Sequence, residues 1–251
     1  MDAADTESRL EPGIYLVATP IGNMDDITLR ALRTLSQADV LACEDTRVTR
    51  KLFQRHGLPT PGMIVVVNDH TERKAAGRLT RLAQEGKVVV FCSDAGLPAI
   101  SDPGWNIARA AREAGVLLDV IPGPSAVTTA VALAGPEGAG FTFLGFPPRR
   151  DSRLRRLLEQ HADLPPAIVL YEAPRRLQRL LHVAGEVMGP GRWAAVCLEL
   201  TKKFQRTVRG TLIELEEWFG HADLRGEATV VISGRQGARD DEDDDPDADG
   251  E

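Results

Sequence analysis

Residues 88 to 104 read VVVFCSDAGLPAISDPG, and the fold class follows from them. The run Val88, Val89, Val90, Phe91 is apolar at every position, with Gly86 before it and Asp94 to Gly96 after it. A short apolar run bounded in this way predicts a strand buried on both faces, as in a parallel sheet. The loop that follows holds two Ser-Asp pairs, Ser93-Asp94 and Ser101-Asp102, together with Gly96, Pro98, Pro103 and Gly104. Gly96 permits close backbone approach or positive φ. The prolines stiffen the loop and remove two amide donors. A stiff polar loop at the carboxyl end of a buried strand is where open α/β sheets bind ligands. An ordinary strand-to-helix connection is the alternative.

The same alternation continues in both directions. Strands are expected at Ile14 to Ala18, Val40 to Cys43, Met63 to Val67 and Leu117 to Ile121. Between them lie helical patterns: Leu29, Leu32 and Leu35 at helical spacing, a basic helix stopped by Gly57, a helix from about Thr71 to Glu85, and one from Trp105 to Ala114. Strand and helix in regular alternation imply a parallel sheet covered on both faces. The stretch GPEGAG, 135 to 140, is the expected domain boundary. Beyond it strands are expected at Phe141 to Gly145, Ala167 to Tyr171, Ala194 to Leu198 and Thr229 to Ile232, with Thr207 to Arg209 pairing antiparallel beside the third. The expected architecture is therefore α/β with two domains, a parallel sheet in 14–135 and a mixed sheet in 141–234. Residues 1–13 and 235–251 are expected to be disordered.

A chain of 251 residues with 43% hydrophobic residues can bury two cores. No apolar run approaches the roughly 20 residues a membrane helix needs, so no membrane partner is expected. The opening MDAADTESRLEPG lacks the basic and apolar regions of a signal peptide. Cys43, Cys92 and Cys197 are far apart in apolar runs, which implies buried thiols in a reducing cytoplasm rather than disulfides or a zinc site. The net charge of −7 comes from the tail: Asp240 to Glu251 holds nine acidic residues, and the rest carries 28 acidic against 30 basic. That tail is read as a solubilising, unstructured segment.

Polar clusters recur after strand upon strand: Thr19-Pro20, Glu44-Asp45-Arg47, Asn68-His70, Ser93-Asp94, Ser125, Tyr171-Glu172 and Glu199-Lys202. Several of these converging would make an active site. The five histidines show no metal-ligand spacing, no GxSxG elbow is present, and no cysteine has a neighbouring histidine. There is no GxGxxG motif and no P-loop lysine. Four basic groups stand out, at 47–55, 149–156, 175–179 and 202–209. Arginine forks match phosphate oxygens in pairs, and four such groups point to a polyanion partner. The start of the helix after PGPSA, at Ser125-Ala126, could favour an electron-rich ligand group or be a simple capped helix.

The motifs VATPIGNMDDITLRAL, ACEDTR, SDAGLPAISDPG, PGPSA, GFPPR, YEAPRR, ELTKKF and RGT run in order from Ile14 to Gly234. In this the chain resembles the ribosomal RNA small subunit methyltransferase I family, 16S ribosomal RNA cytidine 2′-O-methyltransferases of the tetrapyrrole methylase superfamily. The resemblance implies two α/β domains of the class III type, with S-adenosylmethionine bound in the cleft between them, and a homodimer. It implies methylation of a cytidine ribose in the decoding region of 16S ribosomal RNA, in the small ribosomal subunit. Carried over by motif, the donor would meet Ser93, Asp94, Ala95, Gly96, Leu97, Ser125 and Ala126, and from the second domain Tyr171, Leu200, Gly226, Glu227 and Ala228. Glu44, Asp45 and Arg47 would orient or deprotonate the ribose hydroxyl, with Arg47 on a phosphate. Thr19, Asn23, Arg149, Arg150, Arg175, Arg176, Lys202 and Lys203 would face RNA, and no metal is implied. His70-Thr71-Glu72 stands where the family has His-Asn-Glu, and Gln205 where an acid is common.

Two other functions fit much of this pattern. One is methylation of a cobalamin or sirohaem precursor, a tetrapyrrole carrying carboxylates; EDTR and YEAPRR in place of a glycine-rich GxGxGD first loop argue against it. The other is a non-catalytic RNA-binding module on the same fold.

Overall fold

The computed structural model describes residues 9–136, 140–221 and 225–235. Backbone contacts divide the chain into two compact units that meet at Ala126 and Val127. The acidic tail lies outside the described residues, as do residues 137–139 of the GPEGAG stretch and residues 1–8.

The first unit is a five-stranded parallel sheet: β1 (Gly13–Val17), β2 (Val40–Cys43), β3 (Met63–Val66), β4 (Val88–Cys92) and β5 (Leu118–Ile121), in the order β3-β2-β4-β1-β5. β1, β2 and β4 are buried at every residue, as continuous apolar runs predict. Residues 9 to 12, expected to be disordered, are instead tied to this unit. The Leu10 amide donates to Gln37, and the leucine packs beside α1 (Leu29–Ser36) and α2 (Thr46–Arg55). The physical reason is an apolar side chain with a core groove within reach.

Successive strand residues point to opposite faces, so each face gathers its own core. Tyr15, Val17, Leu41, Cys43, Val88, Val90 and Cys92 meet α1 and α2 on one face. Ile14, Leu16, Val40, Ala42, Val89 and Phe91 meet α3 (Glu72–Gln84) and α4 (Trp105–Glu113) on the other. The connections leaving β1 and β2 therefore cover one face, and those leaving β3 and β4 the opposite one. At the carboxyl ends of β2, β4 and β1 the chain departs to opposite sides. Such a divergence is the topological switch point where α/β sheets form a ligand crevice.

In the second unit α5 (Ala126–Ala134), which begins at the division, precedes β6 (Phe141–Phe143), α6 (Asp151–Glu159), β7 (Ala167–Glu172), α7 (Leu177–Met188), β8 (Trp193–Leu198), β9 (Arg206–Thr211), α8 (Leu212–Gly220) and β10 (Ala228–Ile232). Its sheet has the order β6-β7-β10-β8-β9 and is mixed: β6 and β7 are parallel, while β10 is antiparallel to both β7 and β8. The expected antiparallel partner of β8 is β9, paired from Trp193–Thr211 to Leu198–Arg206. A capping box between Thr211 and Glu214 starts α8. Because β6, β7 and β8 run the same way, their carboxyl ends open at one edge of the sheet. α6 starts at Asp151, since Arg150 has extended backbone and serves as its N-cap.

All three cysteines are buried free thiols. Among the described residues no helix is long and apolar enough to cross a membrane.

Candidate functional site

In the first unit the loops after β2 and β4 are locked together. The Asp45 amide donates to Asp94 Oδ1 at 3.0 Å, and the Asp94 amide donates back to Glu44 Oε1 at 3.1 Å. Adjacent parallel strands ending in register, Cys43 beside Cys92, place these residues opposite each other. β1 joins the lock: Thr19 and Gly96 exchange both backbone hydrogen bonds, at 2.9 and 3.0 Å. Thr19 Oγ1 also donates to the Ser93 carbonyl at 3.1 Å. Gly96 sits at φ +84°, a conformation that glycine adopts without strain.

Thr19, expected among the RNA-facing residues, is only 4% exposed, with its hydroxyl spent inside the protein. It is a clasp between β1 and the central loop rather than an RNA contact. Asn23 is exposed, and its side chain caps the short 3-10 turn at Met24–Asp26.

The three EDTR residues take different positions. Asp45 is the N-cap of α2: it accepts from the Arg47 amide at 2.8 Å and from the Arg47 guanidinium at 2.6 Å. The Arg47 fork lowers the Asp45 carboxyl to about 2. Arg47 itself remains largely exposed, its side chain at 84%. Glu44 is half-buried. Burial, followed by the repulsion of Asp102, Asp94 and Asp69, pushes its carboxyl up to about 7, against the opposing Asp94 amide bond. Asp94 is likewise raised, first by burial. Two half-buried carboxyls held close together with raised pKa values are an arrangement suited to proton transfer.

The second half of the loop is held by a residue to which no role was assigned from the sequence. Glu72, at the first turn of α3 and 6% exposed, accepts from the Gly104 amide at 2.7 Å. It also accepts from the Asn106 amide at 2.8 Å and from Asn106 Nδ2 at 2.7 Å. Burial pushes this carboxyl up, but the bonds from Asn106 and from the amides of Gly104, Asn106 and Ile107 outweigh it, leaving it below its ordinary value. Between the two anchors Ala99 and Ser101 are forced to positive φ, 69° and 63°. Strain of this kind on non-glycine residues persists only where the surroundings impose it, and it clusters at functional sites.

In the second unit the expected donor-contacting residues gather at the shared edge of the sheet. Ala228 pairs with Glu172 on one side and Leu198 on the other, which brings Tyr171, Leu200 and Gly226 to Ala228 to the same end. Glu199 clasps the two loops there, accepting from the Glu227 amide at 2.9 Å and from Lys202 Nζ at 3.0 Å. Glu199 and Thr201 have positive φ, 48° and 62°, on either side of buried Leu200. Tyr171 packs edge-on against Phe143 at 4.9 Å and tilted against Phe146 at 5.4 Å.

The basic residues leave the same edge, after β6, β7 and β8, but unequally. Arg149, Arg150, Arg175 and Lys203 are exposed. Arg176 is held by buried Glu172, its Nε at 2.6 Å, and Lys202 by Glu199 and Glu227. Those two cations are engaged by carboxylates of the protein.

Gly226 offers a direct test of the clasp. It sits at φ +101°, and a Cβ there would land inside the Glu199 carboxylate. Gly226→Ala is expected to destabilise the protein by about 1–3 kcal/mol in chemical denaturation. Combined with Glu199→Ala the loss should be clearly less than additive, because the second change removes the clash.

The profile of the Tetrapyrrole (Corrin/Porphyrin) Methylases matches residues 13–216. A Ribosomal RNA small subunit methyltransferase I of Thermotoga maritima is 40% identical over 223 residues, covering 89% of this chain and 99% of that protein. One of Mesorhizobium japonicum is 41% identical over 224 residues, covering 89% of this chain and 76% of that protein. Among solved structures, the methyltransferase CobJ superposes with a TM-score of 0.68 at 22% identity, covering 90% of this chain and 97% of that one. A diphthine synthase gives 0.65 at 15%, covering 88% and 89%. At those identities the structural likeness speaks for the fold alone.

Proposed function

Because the chain belongs to the tetrapyrrole (corrin/porphyrin) methylase family, we propose that it methylates the 2′-hydroxyl of a cytidine ribose in the decoding region of 16S ribosomal RNA, using S-adenosylmethionine. The observation that carries the reading is the Glu44–Asp94–Asp45 lock at the switch point of the parallel sheet, with one carboxyl titrating near 7. The relatives at about 40% identity that bear the small-subunit methyltransferase name support the RNA substrate. The cation-rich edge of the second sheet, with exposed Arg149, Arg150, Arg175 and Lys203, supports it independently.

The residues fit the donor. Half-buried carboxylates at Glu44 and Asp94 suit a ligand carrying a sulfonium and an ammonium charge, and Gly96 at φ +84° gives the loop between them and β1 a backbone conformation that other residues rarely adopt. When bound, S-adenosylmethionine supplies an electrophilic methyl carbon that passes directly to oxygen, so the chain needs no nucleophile of its own. In the first unit Ser93 to Leu97 and Ser125-Ala126 are assigned to donor binding, and in the second Tyr171, Leu200 and Gly226 to Ala228. Glu44 accepts the proton of the ribose hydroxyl. Asp45 holds Arg47, whose exposed guanidinium meets a neighbouring phosphate. A ribose hydroxyl is a very weak acid, so most of the rate gain comes from alignment, with the base adding a smaller factor. A homodimer working in the cytoplasm on the small ribosomal subunit belongs to the same reading.

The test is transfer of label from methyl-labelled S-adenosylmethionine to small ribosomal subunits, followed by mass mapping of the RNA. Label on a single cytidine ribose is expected. Label on uroporphyrinogen, with none on RNA, would replace this reading with tetrapyrrole methylation.

A further inference from the structure

Aromatic residues make up 5% of the chain, and at one edge of the second sheet two phenylalanines are largely exposed, Phe146 with its ring also tilted against Tyr171. Phe204, in the β8–β9 loop, is 75% exposed, and Phe146, in the loop after β6, is 61% exposed. Both lie in basic sequence, GFPPRR and TKKFQR. β6 and β8 run in the same direction with β7 and β10 between them, so both loops leave the same edge, the two strands about 14 Å apart across the sheet.

The Phe204 loop is rigid. The Thr201 amide donates to Gln205 Oε1 at 2.5 Å, the Gln205 amide to the Lys202 carbonyl at 3.0 Å, and Lys202 is pinned by Glu199 and Glu227. A loop this well fixed could fold its one large apolar side chain inward; it presents the ring to solvent instead. Lys203 Nζ lies 5.5 Å from the ring centroid, inside cation–π range. An aromatic face beside exposed cations on a preformed support is the arrangement that stacks an unpaired nucleobase while holding its phosphate.

We propose that Phe204, with Phe146 as a second platform, stacks unpaired bases of the RNA, so that the second unit binds single-stranded RNA in preference to duplex. The inference rests on the RNA-methyltransferase reading and adds to it the class of RNA. A duplex keeps its base faces stacked within the helix, so it offers the rings nothing to lie against. Lys203 and the nearby arginines bind either form through phosphate and supply the salt dependence.

The experiment uses the full chain and two fluorescent RNAs, a mixed-sequence single strand and a blunt hairpin of equal phosphate number whose loop is a nucleotide-free glycol linker, titrated by anisotropy at several salt concentrations. Phe204→Ala is expected to weaken single-strand binding about tenfold, the scale of one lost base–aromatic stack. Hairpin binding, the salt slope of the single strand and calorimetric affinity for S-adenosylmethionine should stay unchanged. Phe204→Trp should restore binding and Phe204→Leu should not, which separates stacking from simple apolar contact. Wild-type affinity in Phe204→Ala, or an equal loss on the hairpin, would overturn the inference while leaving the methylation reading intact, provided wild type labels ribosomal RNA. A wild-type protein that neither binds RNA nor labels it overturns both.

Discussion

Glu44→Gln is expected to lower the turnover of RNA methylation by two to four orders of magnitude, the usual contribution of a positioned base. Glutamine keeps the acceptor oxygen for the Asp94 amide, so the β2–β4 lock survives and the loss is chemical rather than architectural. The pH profile gives the sharper readout. Burial, joined by the charges of Asp102, Asp94 and Asp69, places the wild-type carboxyl at about 7. Only the ionised form accepts a proton, so the wild-type rate should climb through pH 7 and level off above it. The residual rate of the variant should lack that step. Stability should move the other way. A carboxyl raised in the folded state contributes stability that is fully present below its unfolded pKa and lost as pH rises through about 7. Above that pH the wild type holds a half-buried charge beside three other acids. Thermal unfolding at pH 8 should therefore find Glu44→Gln at least as stable as wild type, with that advantage gone at pH 4. A variant that is both slow and unstable at pH 8 would make Glu44 a structural residue.

The pattern of legible and hidden features has a physical cause. Val88 to Phe91, Val40 to Cys43 and Ile14 to Val17 declare themselves because a strand covered on both faces must be apolar at every position. Even β9, partly exposed along its length, was legible as an antiparallel neighbour of β8. What the local pattern could not show is contact across sequence distance. Glu44 and Asp94 are fifty residues apart, and they meet because β3 is an edge strand and β4 returns between β2 and β1. Thr19 lies in a turn-like Thr-Pro-Ile-Gly stretch that suggests an exposed loop, yet the bridge to Gly96 draws it inside. The positive φ of Ala99, Ser101, Glu199 and Thr201 carries no sequence signal, since these residue types do not favour it. The basic groups were visible, but which cations are spent internally was not. Arg176 and Lys202 differ from Arg175 and Lys203 only through Glu172, Glu199 and Glu227.

Glu72 was the least visible of these residues, and its removal should have the second large effect. One buried carboxylate collects N–H donors from Gly104 and Asn106 at the start of α4, thirty-two and thirty-four residues away. Glu72→Ala leaves the Gly104 amide and both Asn106 donors facing a void. At about 1–3 kcal/mol for a buried polar group left unpaired, with some relaxation and water entry, a total near 3 kcal/mol is expected. For a chain of this size that lowers the melting temperature by roughly 6–12 °C. The effect should extend to function, because Glu72 fixes one end of the strained segment Ala99 to Ser101 and the Asp94–Asp45 lock fixes the other. Loss of one anchor lets that backbone relax, and S-adenosylmethionine affinity should fall even at temperatures where the variant is fully folded. Glu72→Gln separates the two contributions. Its oxygen still accepts from the Gly104 and Asn106 amides, but its NH2 meets Asn106 Nδ2 donor to donor. It should therefore lose less stability than alanine and retain most of the donor affinity. The Glu72 carboxyl lies below its ordinary value, so its contribution is present above the unfolded pKa and lost as pH falls through the folded one. Wild type and Glu72→Gln should consequently converge in stability under acid and diverge toward neutrality. Parallel curves across that range would mean that the charge on Glu72 adds nothing to the anchoring of the loop.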